Sequence, residues 1–271
     1  MLYFLLATPV SSARVNKGYA PINGLKLYYE KYGTGEMPLV LIHGGGSTIE
    51  TTFGNILPFL TRHGSVIALE LQAHGRTSDR DSAESFEQDA DDVAGLMKYL
   101  KMNKADFFGF SNGGNTAMQI AIRHPQIVNK LIIASSIYKR NGLMPGFFDG
   151  LQNATLENMP QPLKTAYLQV ATDKTRLQVM FSKDRERMLQ FEDWTDEDMR
   201  AIKAPTLLII GNRDIVRPEH AVEMSRLIPN AELMILPGTR GSFIGEICSA
   251  DKESRIPELT VAVIEAYLKR K

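Results

Sequence analysis

One short segment of this chain has the residue types and spacing for nucleophilic chemistry. Residues Gly109-Phe110-Ser111-Asn112-Gly113, followed by Gly114, read G-x-S-x-G. The run before it, 106–110 (DFFGF), is mostly apolar, and 112–124 has the pattern of a helix. A serine at such a strand-to-helix turn exposes its hydroxyl, and the flanking glycines let strand and helix approach closely. The N-terminus of the helix adds positive potential beside the hydroxyl. This combination suits attack on a carbonyl carbon. The plainer alternative is a serine that only caps a helix.

The rest of the chain has to position that serine. With 271 residues, 44% hydrophobic and 23% charged, it fits a globular protein and excludes a wholly disordered or fibrous one. Lysine plus arginine and aspartate plus glutamate are 31 each and cancel. Such a balance makes no electrostatic case for nucleic acid or an anionic membrane surface, so a small molecule is the expected partner. The single cysteine, Cys248, excludes an internal disulfide and a cysteine-based zinc site. No histidine–carboxylate cluster has metal spacing, and residues 44–46 lack a nucleotide-binding glycine pattern, so no metal or organic cofactor is expected.

From Leu25 onward, short β-rich runs alternate with helical patterns. Strands are expected at Leu25–Tyr32, 38–42 (PLVLI), 66–71 (VIALEL), 106–110, 131–135 (LIIAS), 206–210 (TLLII) and 233–236 (LMIL). Continuous apolar runs of this kind suit strands buried on both faces of a parallel sheet. Between them, Phe86, Ala90, Val93, Met97 and Leu100 recur by three and four, one face of a helix. Ser85 is placed to cap it, acids sit in its early turns, and Lys98 and Lys101 lie near its end. Further helices are expected at 112–124, at Pro218–Leu227 and at the C-terminus, with Pro257 in the first turn and an end near Lys269. The alternation predicts an α/β fold with a mainly parallel sheet flanked by helices.

The rhythm stops between about residues 138 and 198. That stretch is helical, carries Met144, Phe148, Met180 and Trp194 among other large apolar groups, and is broken by Pro160 and Pro162. It reads as an inserted helical lid, 138–198, on a core formed by 18–137 and 199–271, and the sheet should close without it. Its apolar makeup points to an acyl or aromatic ligand rather than a sugar or phosphate. Residues 1–17 form an apolar N-terminal segment. Its run 2–10 (LYFLLATPV) is shorter than the about 20 residues that span a bilayer. Small residues follow at 11–13, but no positive charge precedes the run beyond the N-terminus itself. The segment is read either as the remnant of an export signal or as an apolar arm, which leaves the compartment cytoplasmic or exported.

Four further landmarks follow in order. They are His43-Gly44-Gly45-Gly46, Glu70-Leu71-Gln72-Ala73-His74-Gly75-Arg76-Thr77, Gly211-Asn212-Arg213-Asp214 and Leu236-Pro237-Gly238. With G-x-S-x-G, they make the chain from about Gly18 onward resemble the α/β-hydrolase family, more closely its lidded, esterase-like and haloperoxidase-like serine hydrolases. The first landmark resembles the family's oxyanion loop. The second resembles D-x-x-G-H-G-x-S, with Glu70 for Asp and Ala73 for Gly. The third resembles the G-x-x-D that supplies the acid, and the fourth the loop leading to the catalytic histidine. The resemblance implies Ser111 as nucleophile, the backbone N–H groups of Gly45 and Asn112 as the oxyanion hole, and Asp214 as the group orienting the base. It implies that His43 and His74 stabilise loops.

The pattern departs from the family at the base. The five histidines are His43, His63, His74, His124 and His220, and none follows position 220. Where the histidine is expected the chain reads Thr239-Arg240-Gly241-Ser242-Phe243, so Arg240 stands in its place. A guanidinium stays protonated and cannot take the serine proton. Deleting one member of such a triad costs on the order of 10⁴–10⁶ in turnover. Arg240 is expected to form a bidentate ion pair with Asp214. His220 and His74 are the candidates to substitute as base. The sequence thus supports a hydrolase of carboxylic esters or similar acyl compounds, weakened or silenced by Arg240. The alternative is a silent relative that binds a small apolar ligand under the lid and, more remotely, a non-hydrolytic member such as a lyase or cofactor-free peroxidase. Serine at 111 excludes dehalogenase chemistry, which needs aspartate there. Substrate and oligomeric state stay open.

Overall fold

The apolar runs pair edge to edge. In a computed structural model, which describes residues 15–271 apart from 63, 250, 252 and 271, eight strands form one sheet among the described residues. They are β1 (Val15–Ile22), β2 (Leu25–Tyr32), β3 (Leu39–Ile42), β4 (Val66–Leu69), β5 (Ala105–Phe110), β6 (Val128–Ala134), β7 (Thr206–Arg213) and β8 (Ala231–Thr239). Their order is β1-β2-β4-β3-β5-β6-β7-β8. The pairs β1–β2 and β2–β4 are antiparallel, and every pair from β4 to β8 is parallel.

Helices cover both faces: α1 (Ile49–Phe53), α2 (Leu57–Leu60), α3 (Phe86–Tyr99), α4 (Asn112–Arg123), α5 (Phe147–Gln152), α6 (Gln161–Val170), α7 (Leu177–Leu189), α8 (Asp196–Ala201), α9 (Pro218–Leu227) and α10 (Ile256–Lys269). Two layers explain why the central strands read as unbroken apolar runs. Val40 and Ile42 of β3 and Phe107 of β5 pack with Val93 of α3, Met118 of α4 and Met224 of α9. Their neighbours Leu39, Leu41 and Phe108 pack on the other side with Phe53 of α1, Leu60 of α2 and Ile264 of α10. The caps follow the sequence: Ser85 Oγ accepts from the Gln88 N–H at 3.1 Å at the start of α3, and α10 begins at Ile256 with proline in its first turn.

Three differences from the sequence reading have physical causes. Strand β1, Val15–Ile22, precedes the first strand expected from the sequence; its first three residues are exposed at the sheet edge and carry no alternation. Strand β8 runs through Pro237 to Thr239, which an edge strand tolerates because one side of its ladder is open. Helices α1 and α2 are five and four residues long, too short to show a period. The apolar run 2–10 lies outside the described residues. Among the described residues, no helix is long and apolar enough to cross a membrane.

Helices α5 to α8, joined by 3-10 turns, lie between β6 and β7. His43, Ser111, Ser135, Asp214 and Arg240 each come one residue after the end of β3, β5, β6, β7 and β8. Because these strands are parallel, all five positions fall along one edge of the sheet, where open α/β sheets hold their ligands.

That edge is reached through a glycine contact. A Cβ placed on Gly113 would overlap the carbonyl oxygen of Ile42, and one on Gly109 would overlap that of Gly113. Both atoms are backbone, so neither can turn aside. Gly113→Ala is therefore expected to lower unfolding free energy by about 3 kcal/mol or more. Gly64→Ala, which meets no atom within 4 Å, should stay within about 0.5 kcal/mol of the parent. Urea unfolding followed by circular dichroism compares the two; equal midpoints would contradict the tight contact at 113.

Candidate active site

Ser111 occupies the turn between β5 and α4 with φ +56° and ψ −123°. A non-glycine residue persists there only when its surroundings hold it. They do: the Ser111 N–H donates to Ala134 O at 2.8 Å, and Ser111 O accepts from Ser136 Oγ at 2.8 Å and from Gly114 N at 2.8 Å. The serine opens onto a cavity of about 350 Å³. Gly44, Gly45, Asn112 and Arg240 share its wall with Ser111. The far wall is mostly apolar, with Phe147, Leu163 and Met180 from the inserted helices and Ile215 and Val216 from the loop after β7.

The glycine loop after β3 lies against the serine, since a Cβ on Gly44 would sit 3.3 Å from Ser111 Cβ. The loop is fixed from behind. His43 Nδ1 donates to Gly44 O at 2.7 Å, and its Nε2 accepts from Leu71 N at 3.0 Å. Burial pulls the His43 imidazole down to about 3, so it is neutral. The backbone N–H groups of Gly45 and Asn112 have no acceptor among the described residues.

No described histidine touches Ser111. His74 Nδ1 donates to Gln72 O at 2.7 Å, and its Nε2 lies 3.1 Å from Asp184 Oδ2. His220 accepts from Tyr138 N at 3.2 Å, stacks on the Tyr138 ring and closes over Gly142. Burial pulls it down to about 4. His124 bonds Asp91 at 2.7 Å. Both histidines considered as substitute bases are thus committed elsewhere.

Arg240 reaches Ser111 directly: its Nη2 donates to Ser111 Oγ. Its guanidinium lies 5.3 Å from the centre of the Phe110 ring. The expected ion pair with Asp214 is not formed. Asp214 Oδ2 accepts from Ser135 Oγ at 2.6 Å, and Oδ1 accepts from Val216 N at 3.1 Å. Both carboxylate oxygens are satisfied close by, and Arg240 turns to the serine. Burial pushes the Asp214 carboxyl up, against the Ser135 hydrogen bond and the positive charge of Arg240.

The sequence reading missed the charges behind the glycine loop. Asp184 of α7 accepts from Gly46 N, from Asn112 Nδ2 at 3.2 Å and from Arg187 Nη2, and faces His74. Arg187 Nη1 donates to Asp89 Oδ2 of α3 at 2.7 Å and lies 3.5 Å from Glu84. All five side chains are buried or nearly so. An aspartate and an arginine three apart on a helix read as an ordinary solvated pair; only the approach of α7 to α3 makes them a core cluster.

Their titration has a sign. Burial pushes Glu84 up to about 7 and Asp89 to about 6. Burial alone would lower His74, but Asp184 outweighs it and raises the ring to about 9. Each of these groups binds its proton more tightly folded than unfolded, so each loses stabilisation as pH rises through the folded value. Asp184 is held below the usual carboxylate range, by Arg187 and His74 against its burial, and contributes above about pH 4. The lowered His43 and His220 pull the other way only up to their unfolded value of about 6.5, so the melting temperature should fall as pH rises from about 6.5 to about 9. Arg187→Met should cost about 3–5 kcal/mol near neutrality, and part of that loss should return near pH 5.5, where Glu84 and Asp89 take up protons. A pH series of thermal melts on both proteins tests this; a melting temperature that rises toward pH 9 would contradict the cluster.

Comparison with known proteins agrees with this architecture. The family model described as alpha/beta hydrolase fold matches residues 37–184. Human serine hydrolase BPHL is 28% identical over 244 residues, 85% of this chain and 80% of that protein. The 2-hydroxy-6-oxo-2,4-heptadienoate hydrolase of Pseudomonas putida is 26% identical over 239 residues, 78% of this chain and 84% of that protein. The solved structure of a serine hydrolase involved in carbazole degradation, CarC, superposes with a TM-score of 0.76 at 22% identity, over 94% of this chain and 99% of that one. With its sheet order, its serine turn and a family match over more than half its length, the chain belongs to the α/β-hydrolase fold family.

Proposed function

We propose that this protein is a hydrolase of carboxylic esters or similar acyl compounds, with Ser111 as nucleophile and the helices between β6 and β7 as its lid. Arg240 holds its turnover low. The observation that carries this reading is Ser111 held at positive φ in the strand-to-helix turn, lining the cavity beside Gly45 and Asn112. The hydrolase names of the curated relatives support the reaction class.

In this reading Ser111 Oγ attacks the acyl carbon and the carbonyl oxygen becomes an oxyanion. The free N–H groups of Gly45 and Asn112 receive it. The serine proton has no side chain to take it, because a guanidinium does not accept protons near neutrality. Solvent hydroxide must remove it, so the residual rate should climb with pH. Asp214, held by Ser135 and Val216, has no imidazole to orient. The apolar lid wall selects the acyl group.

A second reading has its own support. The Arg240 bond occupies one of the two lone pairs of Ser111 Oγ and draws electron density from the oxygen. A protein that binds and does not turn over is consistent with that contact.

Arg240→His separates the two. A histidine there can accept the serine proton and return it to the leaving group. Turnover of p-nitrophenyl butyrate should rise by about 10²–10³-fold near neutrality and level off above the imidazole pKa. The parent rate should stay low and keep rising with pH. Ser111→Ala is the blank for both. Brisk Ser111-dependent turnover by the parent at neutral pH would mean that another base serves the serine. No gain in the histidine variant would favour the binding protein.

A further inference from the structure

We infer that the Ser111 end of the cavity is a carboxylate receptor, holding the head of a monocarboxylic acid with an apolar tail on Arg240 and the N–H groups of Gly45 and Asn112.

Arg240 carries five N–H donors in a rigid fork. One is used, by Nη2 on the uncharged Ser111 hydroxyl, and Nε is buried without a partner. No carboxylate lies within ion-pair distance of it among the described residues. A half-buried cation left without an anion is costly unless something supplies the charge. Gly45 and Asn112, whose N–H groups have no acceptor among the described residues, line the same cavity wall as Arg240. Gly44 packs on Ser111, a Cβ on Gly45 would meet Asn112 Nδ2, and Arg240 touches Ser111 Oγ. Asn112 also opens a twelve-residue helix, whose positive end faces the same site.

Three acids lie near enough to oppose an anion. Asp214 feels the charge of Arg240 without touching it, and its oxygens are held by Ser135 and Val216. Asp184 is matched by Arg187 and His74, whose nitrogens bond its oxygens. Glu246 accepts from Cys248 N at 2.9 Å and Ser249 Oγ at 3.4 Å, and burial pushes its carboxyl toward the neutral form. The other cation on the wall, Arg185, is tied to the carbonyls of Leu151 and Gln152. The guanidinium at the serine end therefore has no anion in direct contact among the described residues. The remaining wall is mostly apolar, with Phe147, Leu163, Met180 and Val216. A carboxylate with an apolar tail satisfies both ends of such a cavity, and a bidentate guanidinium–carboxylate pair is the geometry arginine favours.

The inference rests on the same placement of Ser111, Gly45, Asn112 and Arg240 as the hydrolase reading, but not on turnover. For a weak hydrolase the ligand is the acid product; for a silent relative it is the ligand itself.

Calorimetric titration of the intact protein with octanoate and with octanamide at neutral pH tests it. The acid should bind at least about tenfold more tightly than the amide. Arg240→Gln should lose about tenfold or more for octanoate and little for octanamide, while Arg240→Lys should recover part of the loss. Equal binding of acid and amide by the parent overturns the receptor, and that comparison needs no variant to fold. Unchanged octanoate binding by Arg240→Gln overturns it too. The esterase assay on the Arg240→His and Ser111→Ala variants reports on hydrolysis separately. Octanoate selectivity without any Ser111-dependent turnover retains the receptor and rejects the hydrolase; turnover without acid selectivity does the reverse.

Discussion

The first turn of α4 sits against the carbonyl ends of β3 and β5, and the rest of the site depends on that approach. It is possible because positions 109 and 113 have no Cβ to meet the opposing backbone. Bringing helix and strand this close leaves Ser111 no ordinary conformation, and its positive φ is the result. The N–H of Asn112 and the glycines after β3 then come together around one hydroxyl. The same contact gathers the positions after β6, β7 and β8, because those strands share direction and register with β5. A fold of this kind supplies a site by ending its parallel strands at one edge.

The helices between β6 and β7 are joined to that site by charge as well as by apolar packing. Met180 and Tyr167 pack in an apolar cluster, while Asp184 and Arg187 tie α7 to the glycine loop, α4 and α3. A sheet that closes without the insertion is still expected on topology. Electrostatics adds a condition. Glu84 and Asp89 are buried in the intact chain, and removing Arg187 takes away the cation that matches them. A shortened chain must therefore either expose those two acids to water or make them neutral.

The sequence carried the sheet well because apolar runs such as 38–42 and 206–210 need burial on two faces, and only a layered fold gives it. Ser111 and its flanking glycines were legible for a related reason: strand, G-x-S-x-G and helix form one local unit. Arg240 was legible as a position, since it follows the last strand, yet its partner was not. Pairing with Asp214 follows from opposite charge alone. The structure spends both Asp214 oxygens on Ser135 and Val216, contacts that depend on how two loops meet. The Asp184–Arg187 cluster was illegible for the same reason. Its partners lie in α3, in α4 and in the loops after β3 and β4, and no local spacing marks them as neighbours.

The cluster also sets an order of assembly. Arg187 follows Asp89 by 98 residues. A chain emerging from the ribosome presents Glu84 and Asp89 long before the guanidinium that matches them. Tight seating of α3 on the nascent sheet would strand two carboxylates in an apolar layer until α7 is made. The half-made protein therefore has reason to keep α3 loosely held, with its apolar stripe accessible to a chaperone. The core can lock only after the inserted segment has left the tunnel.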